Sequence, residues 1–264
     1  MAESHRFQSQ ELADFEKHGY VLRRSVFAAG ELREIRDACE TLIETLLTAK
    51  RRTKLTVGSY VFELQRELGT VVKWEADSPD LVQGVELFAH LSGDLKRWAL
   101  DSRLVDPARD VTGADDIVMF TEKLNMKRAR KGGPIVLHQD FPYWSDISPV
   151  AAQIATAMVF LDDSTIENGC LEVVPGSHRE GEQRRRSVEG FGKMEMDPSH
   201  YDLSRLVRLE VEAGSVAFFG PFLVHRSLPN RSGEDRRALL YSYQPAGNPH
   251  LGELTGLGSG TAAS

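Results

Sequence analysis

The chain has 264 residues, of which 41% are hydrophobic and 27% charged, and its mean hydropathy is -0.32. These values are typical of a folded chain with enough apolar side chains for a sizeable core. The net charge is -7, which argues against general binding to nucleic acids or anionic membranes, since a basic surface drives both. No apolar run approaches the roughly 20 residues of a membrane span, and the first residues lack the order of a signal peptide. Two cysteines, Cys39 and Cys170, fit a reducing compartment, so we expect a cytoplasmic protein.

The first part of the chain is predicted to be mainly helical. A short helix is expected to end at Gly19, before a strand-like segment. From Glu31 onward, apolar residues recur at steps of three and four, which indicates an amphipathic helix; they are Leu32, Ile35, Cys39, Leu42, Ile43, Leu46 and Leu47. Ser78, followed by a proline, is typical of a helix start, and Ser92 is expected to cap another helix. We therefore expect a helical support region over residues 1–110.

The remainder is predicted to be a β-rich core over residues 111–246. Strand-like segments follow one another without intervening helices, at 116–124, 134–138, 151–161, 170–174, 206–211, 215–219 and 237–243. Such a series favours an antiparallel sandwich or barrel. The polar stretch 178–205 is long for a connection and is expected to act as a lid. Residues 247–264 are predicted to be a flexible tail, and the absence of a linker predicts a single domain over 1–264.

The strand that ends at His138 carries the first candidate metal ligands. Because alternate side chains share a face in a strand, His138 and Asp140 project together while Gln139 points away. His225, at the end of a second strand-like run, can supply a third ligand. Two histidines and one carboxylate on one side of a metal leave positions open, which is the facial triad of non-haem Fe(II) oxygenases. We predict that these three residues bind the metal and form the catalytic centre.

A co-substrate such as 2-oxoglutarate would chelate this metal, and its far carboxylate needs a charged anchor. Arginine suits this because its planar guanidinium binds a carboxylate through two hydrogen bonds. Arg236 opens the strand after His225, and Ser227 should share the face of His225. We expect the two strands to pair around the turn at 229–233, which would bring Arg236 beside Ser227. Both faces of the second strand carry apolar residues, so alternation alone leaves Arg237 as an alternative.

Taken together, these segments resemble the phytanoyl-CoA dioxygenase family of Fe(II)/2-oxoglutarate-dependent oxygenases. The resemblance runs from Phe15 to Tyr243 and rests on Phe15-x-x-x-Gly19-Tyr20-Val21, Leu137-His138-Gln139-Asp140, residues 161–171, Val174-Pro175-Gly176-Ser177-His178, and Val224-His225-Arg226-Ser227 with Arg236. It implies a mainly β fold, with a double-stranded β-helix (jelly-roll) core and flanking N-terminal helices. It also implies Fe(II) held by His138, Asp140 and His225, with 2-oxoglutarate and O2 as co-substrates. The family spacing favours Arg236 over Arg237 as the anchor.

Three further co-substrate positions are implied by the resemblance. Lys73 looks like the family lysine that reaches 2-oxoglutarate from the helical region. Asn125 resembles an asparagine that contacts the co-substrate in ectoine hydroxylase, and Lys127 would share its face. The alternative for each of the three is a plain surface residue on a strand.

The aromatic residues after Asp140 are candidates for substrate binding. Phe141, Tyr143 and Trp144 lie in a segment that departs from ectoine hydroxylase and that, in this fold, leads away from the metal along the pocket. We expect them to form a substrate wall, with packing of a loop on the barrel rim as the alternative. The aromatics and the basic residues 184–186 allow an anionic or amphiphilic substrate without identifying one.

The expected activity is hydroxylation of an aliphatic C–H bond of a small molecule, with conversion of 2-oxoglutarate and O2 to succinate and CO2. One alternative is desaturation, ring formation or halogenation on the same scaffold, although halogenation usually needs a small residue where Asp140 stands. A barrel that binds a ligand without catalysis is another, and the retention of all three ligand types argues against it. No nucleic-acid or membrane partner is expected, and the oligomeric state is left open.

Overall fold

The structure, a computed structural model, describes residues 4–50, 52–57, 60–183 and 195–257. Its helices are α1 (Ser9–His18), α2 (Ala29–Thr48), α3 (Gly93–Trp98), α4 (Ser102–Thr112), α5 (Phe141–Trp144) and α6 (Leu251–Thr255). Its strands are β1 (Tyr20–Arg23), β2 (Lys54–Val57), β3 (Tyr60–Gln65), β4 (Thr70–Glu75), β5 (Ser78–Glu86), β6 (Ile117–Lys127), β7 (Ile135–His138), β8 (Ala155–Phe160), β9 (Leu171–Val173), β10 (Val207–Leu209), β11 (Val216–Phe219), β12 (His225–Ser227) and β13 (Arg236–Pro245). Among these elements no helix is both long and apolar enough to cross a membrane.

Two antiparallel sheets form the body of the molecule. The larger has nine strands in the order β1-β11-β8-β13-β6-β5-β4-β3-β2, and the smaller has four in the order β10-β9-β12-β7. Apolar side chains from both sheets pack into one cluster, with Phe160 and Phe219 of the large sheet against Leu171 and Val173 of the small one. The sheets therefore lie face to face, as the run of strand-like segments predicts.

The helices α2 and α4 cover the other face of the large sheet. Ile35 of α2 and Leu104 of α4 pack in one core cluster with Leu239 and Tyr241 of β13. The Tyr241 hydroxyl also donates a hydrogen bond of 2.6 Å to the carbonyl of Leu95, at the helical layer. Because side chains alternate along β13, its other face is free to line the space between the sheets.

The prediction of a mainly helical region before residue 110 is wrong for residues 54–86. Residues 54–86 form the four strands β2 to β5, which extend the large sheet as an antiparallel meander. Ser78 begins strand β5 rather than a helix. The segment is rich in valine and aromatic residues, which favour strands, and tight turns such as the one at Gly69 (φ +60°) join them. The Ser-Pro helix-start signal is local and was overridden by these pairings.

The expected pairing of the His225 strand with the Arg236 strand is also wrong. Strand β12 pairs with β7 and β9 in the small sheet, whereas β13 pairs with β6 and β8 in the large one. The turn at 229–233 therefore crosses from one sheet to the other. Ser227 and Arg236 approach the same cavity from opposite sheets, rather than from neighbouring strands.

Two predicted mobile segments lie partly outside the described residues. Of the predicted lid 178–205, residues 184–194, including the basic residues 184–186, are not described, and of the predicted tail residues 258–264 are not described. The rest of the tail differs from the prediction, because Leu251–Thr255 forms helix α6. Leu251 is buried in a cluster with Phe120 and Trp144, and this burial holds the helix in place.

His250 attaches this helix to the sheet. Its Nδ1 accepts a hydrogen bond of 3.1 Å from the backbone N–H of Gly252, which caps the helix. The ring must then carry its proton on Nε2, which lies 3.1 Å from a carboxylate oxygen of the buried Glu122.

We expect His250→Ala to undock α6, because it removes a helix cap and one partner of a buried carboxylate. The free energy of unfolding should fall by about 1–3 kcal/mol, and amide exchange at 251–255 should rise selectively. His18→Ala, at a half-buried histidine on α1, is the matched control. Unchanged exchange at 251–255 in His250→Ala would contradict this account of the tail.

Candidate active site

The three candidate metal ligands meet between the two sheets. His138 and His225 are direct partners in the β7–β12 pairing, and Asp140 follows β7. One ligand atom from each residue lies within 4.8 Å of the others. The Nε2 of His138 is 3.6 Å from Oδ1 of Asp140, and the centroids of the two imidazole rings are 4.1 Å apart. A strand pairing and one tight turn therefore bring two imidazoles and a carboxylate to a common centre.

Both imidazoles are held in the same way. Nδ1 of His138 is 2.8 Å from the carbonyl oxygen of Val136, and Nδ1 of His225 is 2.9 Å from that of Leu223. A carbonyl can only accept, so each Nδ1 carries the proton and each Nε2 presents a lone pair. Backbone partners of this kind fix the ring orientation that a metal ligand needs.

The electrostatic environment keeps the site in its deprotonated form. Burial and, to a smaller extent, the neighbouring His138 lower the pKa of His225 to about 4. Burial by itself would raise the pKa of Asp140, but the imidazoles of His138 and His225 outweigh it and hold that pKa below its ordinary value. A neutral imidazole and a carboxylate are the forms that coordinate a metal, so both are ready to bind near neutral pH.

Gln139 points away from the centre, as strand alternation predicts, and its side-chain amide forms hydrogen bonds with three backbone groups. Its Nε2 donates hydrogen bonds to the carbonyl oxygens of Gly181 (3.0 Å) and Phe222 (2.7 Å). Its Oε1 accepts one of 2.8 Å from the backbone N–H of Gln183. This fully buried amide thus links the segment before residue 184 to the strand that carries His138.

A cavity of about 170 Å³ opens beside the three residues. Of the predicted co-substrate residues, Arg236, Ser227, Asn125 and Lys73 line it. Arg236 is 1% exposed, and its Nη2 donates a hydrogen bond of 2.9 Å to the carbonyl oxygen of Gly169. Its Nε and the Ser227 hydroxyl are buried without a hydrogen-bond partner in the described part of the chain. Two buried polar groups in one cavity are thus available to a ligand.

Gly169 has a defined role beside Arg236. It adopts φ +77°, and a Cβ there would lie 2.0 Å from the carbonyl oxygen of Leu228. Only glycine fits this turn, which presents the carbonyl that orients the arginine. Burial lowers the pKa of Arg236 to about 10, which still leaves the guanidinium charged near neutral pH.

Arg237, the alternative anchor, lies on the opposite face of β13. Its guanidinium forms two hydrogen bonds of 2.8 Å with the Asp162 carboxylate and one of 3.0 Å with Glu40 of α2. These acidic partners occupy its donors, so this arginine braces the helical layer and does not reach the cavity.

Lys73 and Asn125 approach the cavity from the large sheet. Lys73 lies on strand β4, which corrects the expectation that it belongs to a helical region. Its Nζ lies 3.5 Å from the centroid of the Tyr60 ring, a cation–π contact. Burial and, to a smaller extent, the positive charge of Lys123 lower the pKa of Lys73 to about 7.

Lys127, in contrast, is not among the residues that line the cavity, so the expected co-substrate contact is not supported. Its Nζ donates hydrogen bonds to the carbonyl oxygens of Gly133 (2.5 Å) and Leu228 (2.8 Å). Burial and the nearby Arg236 lower its pKa to about 6. The lysine lies at the end of β6, where loop carbonyls accept hydrogen bonds from its amino group.

Of the three predicted aromatic residues, one lines the cavity. Residues 141–144 form a helical turn, so Tyr143 returns to the side of His138, with ring centroids 5.9 Å apart at 88°. Phe141 instead stacks on Phe222 at 4.4 Å, and Trp144 is 3% exposed against Phe120. The substrate-wall prediction for Phe141 and Trp144 is therefore not supported, because the helical turn places Trp144 in the core and stacks Phe141, which is partly buried, on Phe222.

Three charged residues of the cavity, Lys123, Glu86 and Arg226, were missed by the sequence analysis. Lys123 and Glu86 both line it, on the paired strands β6 and β5. Lys123 is two residues before Asn125, so strand alternation could have found it. Glu86 had no such signal, because its strand was predicted as part of a helical region.

Comparison with known proteins identifies the family. A family model for phytanoyl-CoA dioxygenase (PhyH) matches residues 15–238. A phytanoyl-CoA dioxygenase from Arabidopsis thaliana is 28% identical over 244 residues, covering 85% of this chain and 84% of that protein. An L-proline trans-4-hydroxylase from Streptomyces griseoviridis is 33% identical over 163 residues, covering 55% of this chain and 60% of that protein. The chain belongs to the phytanoyl-CoA dioxygenase family, and the predicted enzyme class, a dioxygenase, is confirmed.

Solved structures agree on the fold. EctD from S. alaskensis, solved with 2-oxoglutarate and 5-hydroxyectoine, has a TM-score of 0.72 and 23% identity, covering 94% of this chain and 79% of that one. SnoK, an alpha-ketoglutarate-dependent carbocyclase from nogalamycin biosynthesis, has a TM-score of 0.70 and 20% identity, covering 95% and 89%. The predicted mainly β, jelly-roll fold with flanking N-terminal helices is confirmed.

The pKa of His225 predicts a pH-dependent stability of the metal-free protein. Its value of about 4 lies below the ordinary 6.5, so the unfolded chain binds this proton more readily than the folded one. The contribution of His225 to the free energy of unfolding is therefore fully present above pH 6.5. It falls as the pH drops towards 4, by on the order of 2 kcal/mol. Urea unfolding of the chelator-treated protein at pH 7 and pH 4.5 measures this loss, which should shrink in His225→Asn. An equal loss in both proteins would contradict it.

Proposed function

We propose that this protein is an Fe(II)/2-oxoglutarate-dependent dioxygenase that hydroxylates an aliphatic C–H bond of a small molecule. One observation carries the proposal. The cavity holds two imidazoles and a carboxylate within 4.8 Å of one another and, in the same space, two buried polar groups without partners in the described residues. The first set suits a divalent iron, and the second suits the carboxylate of a co-substrate.

The donor set fits Fe(II). The ion would be held by Nε2 of His138, Nε2 of His225 and the Asp140 carboxylate. The Nδ1 atoms of both histidines are already hydrogen-bonded to backbone carbonyls. Such a set leaves coordination positions open, as the non-haem iron oxygenases require. When bound, Fe(II) with 2-oxoglutarate and O2 supplies the oxidation that ends in succinate, CO2 and a hydroxylated product.

The cavity also fits 2-oxoglutarate. The guanidinium of Arg236 and the hydroxyl of Ser227 would bind its distal carboxylate, because a buried cation and a free hydroxyl satisfy a carboxylate that has lost its water. Asn125 and Lys73 line the same cavity and would contact the co-substrate from the large sheet.

The remaining walls orient the substrate and exclude water. Met158, Phe219 and Leu240 line the cavity from the large sheet, and Tyr143 closes it beside His138. Apolar walls suit an unreactive C–H bond, and they protect the reacting centre from water. The protein's part is thus to bind, orient and shield, while the cofactor supplies the oxidation.

The names of the relatives support hydroxylation and leave a second outcome to test. One relative is an L-proline trans-4-hydroxylase and another an ectoine dioxygenase, whereas the structural neighbours SnoK and SnoN are a carbocyclase and an epimerase. Mass spectrometry of products distinguishes these outcomes, since hydroxylation adds one oxygen, ring formation removes two hydrogens and epimerisation leaves the mass unchanged. Halogenation is disfavoured, because Asp140 stands beside His138 where that chemistry needs an open position.

We expect Ala substitution of His138, Asp140 or His225 to lower Fe(II) affinity by roughly 100-fold or more, since each removes one of three protein ligands. Anaerobic dialysis followed by metal analysis measures binding, and succinate release in the presence of a substrate screen measures turnover. His178→Ala, at a turn outside the cavity, is the control. A wild-type protein that binds no stoichiometric iron, or an active Asp140→Ala hydroxylase, would overturn the assignment.

Replacing the two neighbouring arginines separates co-substrate binding from stability. Loss of the charged partner of a buried carboxylate costs about 2–5 kcal/mol, so Arg236→Met should raise the Kd for 2-oxoglutarate roughly 30-fold or more. Arg237→Met should leave this Kd nearly unchanged and lower the free energy of unfolding instead, because Asp162 and Glu40 each lose one of two arginine partners and keep only Arg36 and Arg128, respectively. Titration calorimetry and urea unfolding make the comparison. The reverse ranking would show that Arg236 is not the anchor.

A further inference from the structure

An ion pair inside the cavity is left without a role by the proposed function. Lys123 of β6 and Glu86 of β5 are direct partners in the strand pairing, and both line the cavity. The Lys123 Nζ lies 3.5 Å from Oε1 of Glu86, and the Thr121 hydroxyl donates a hydrogen bond of 3.0 Å to the same oxygen. The two side chains are 29% and 28% exposed, so a ligand can reach them.

This ion pair lies away from the co-substrate anchor. Arg236 is paired with Lys127, and Lys123 is four residues further along β6. At the usual rise of a strand, that separation is about 13 Å. Lys123 and Glu86 therefore lie beyond Asn125 on the paired strands β6 and β5, on the side of the cavity away from Arg236.

The other charged groups of the cavity have assigned contacts. Arg226 is 2.6 Å from the Glu172 carboxylate, Asp140 is a candidate metal ligand, and the Lys73 ammonium lies over the Tyr60 ring. The distance of 3.5 Å between Lys123 and Glu86 is longer than the 2.7–2.9 Å usual for a charge-assisted hydrogen bond. Both groups therefore keep hydrogen-bonding capacity for a ligand.

We propose that Lys123 and Glu86 together bind the carboxylate and the ammonium group of a zwitterionic substrate of the α-amino-acid class. This inference rests on the proposed function and specifies its substrate class. The substrate carboxylate accepts hydrogen bonds from the Lys123 ammonium, and the substrate ammonium donates to Glu86. In an α-amino acid both charged groups are attached to one carbon, which suits two side chains only 3.5 Å apart.

Ligands with a single charge fit this ion pair less well. A simple anion at Lys123 would be repelled by Glu86, and a simple cation at Glu86 would be repelled by Lys123. A neutral apolar ligand would bury both charges without replacing their water. The apolar residues Met158, Phe219 and Leu240 of the same cavity suit the aliphatic part of the zwitterion.

The inference is tested by binding rather than by turnover. The protein is loaded anaerobically with Fe(II) and 2-oxoglutarate, and formation of this complex is followed by its visible charge-transfer band. The probes are the proteinogenic L-amino acids, each beside its N-acetyl derivative and its carboxamide, with binding measured by titration calorimetry. We expect at least one free amino acid to bind, with roughly tenfold or greater loss for each of its two derivatives.

Two variants assign each charge to its partner. Glu86→Gln should weaken binding of the free amino acid, so that it no longer binds more tightly than the N-acetyl derivative. Lys123→Met should likewise abolish the difference in affinity between the free amino acid and the carboxamide. Both should keep the charge-transfer band, since neither residue is assigned to iron or 2-oxoglutarate. The exposed residues Glu44 and Lys131 provide the matched controls Glu44→Gln and Lys131→Met, which should change nothing.

The outcomes separate this inference from the proposed function. No charge-transfer band in the wild-type protein would overturn the proposed function and the inference with it. A normal band without binding of any amino acid, or binding that both variants leave unchanged, would overturn the inference alone. Tighter binding of the carboxamide or of the N-acetyl derivative than of the free amino acid would also overturn it.

Discussion

The pairing of β7 with β12 is the constraint on which the rest of the site depends. It sets His138 directly opposite His225, and each ring is oriented by the carbonyl two residues before it. A slip of one residue would turn one imidazole to the other face of the sheet. Since Asp140 follows β7 directly, this single register decides whether two imidazoles and a carboxylate can share an ion.

The two sheets supply different groups to the cavity. The small sheet supplies His138 and His225 together with Ser227, and the large sheet supplies Arg236 and the charged pair of Lys123 with Glu86. Arg236 is buried with an Nε that has no partner in the described residues, which costs stability unless a ligand satisfies it. A buried hydrogen-bond donor left without a partner is expected at functional sites.

Adjacent residues on β13 show how strand alternation separates function from support. Arg236 faces the cavity, while Arg237 faces α2 and contacts Asp162 and Glu40. Further along the same strand, Tyr241 reaches the carbonyl of Leu95 in the helical layer. The helices thus stiffen the strand whose other face carries Arg236, the proposed co-substrate anchor.

The sequence by itself determined the features that depend on neighbouring residues. The His-x-Asp spacing predicts that His138 and Asp140 project to one side, and the run of β segments predicts the sandwich. Only the tertiary structure decided features that depend on distant partners. It placed β12 and β13 in different sheets, converted residues 54–86 into strands, and turned Trp144 into the core. The physical reason is that sheet pairing and burial are set by contacts between residues far apart in the chain, which override local propensity.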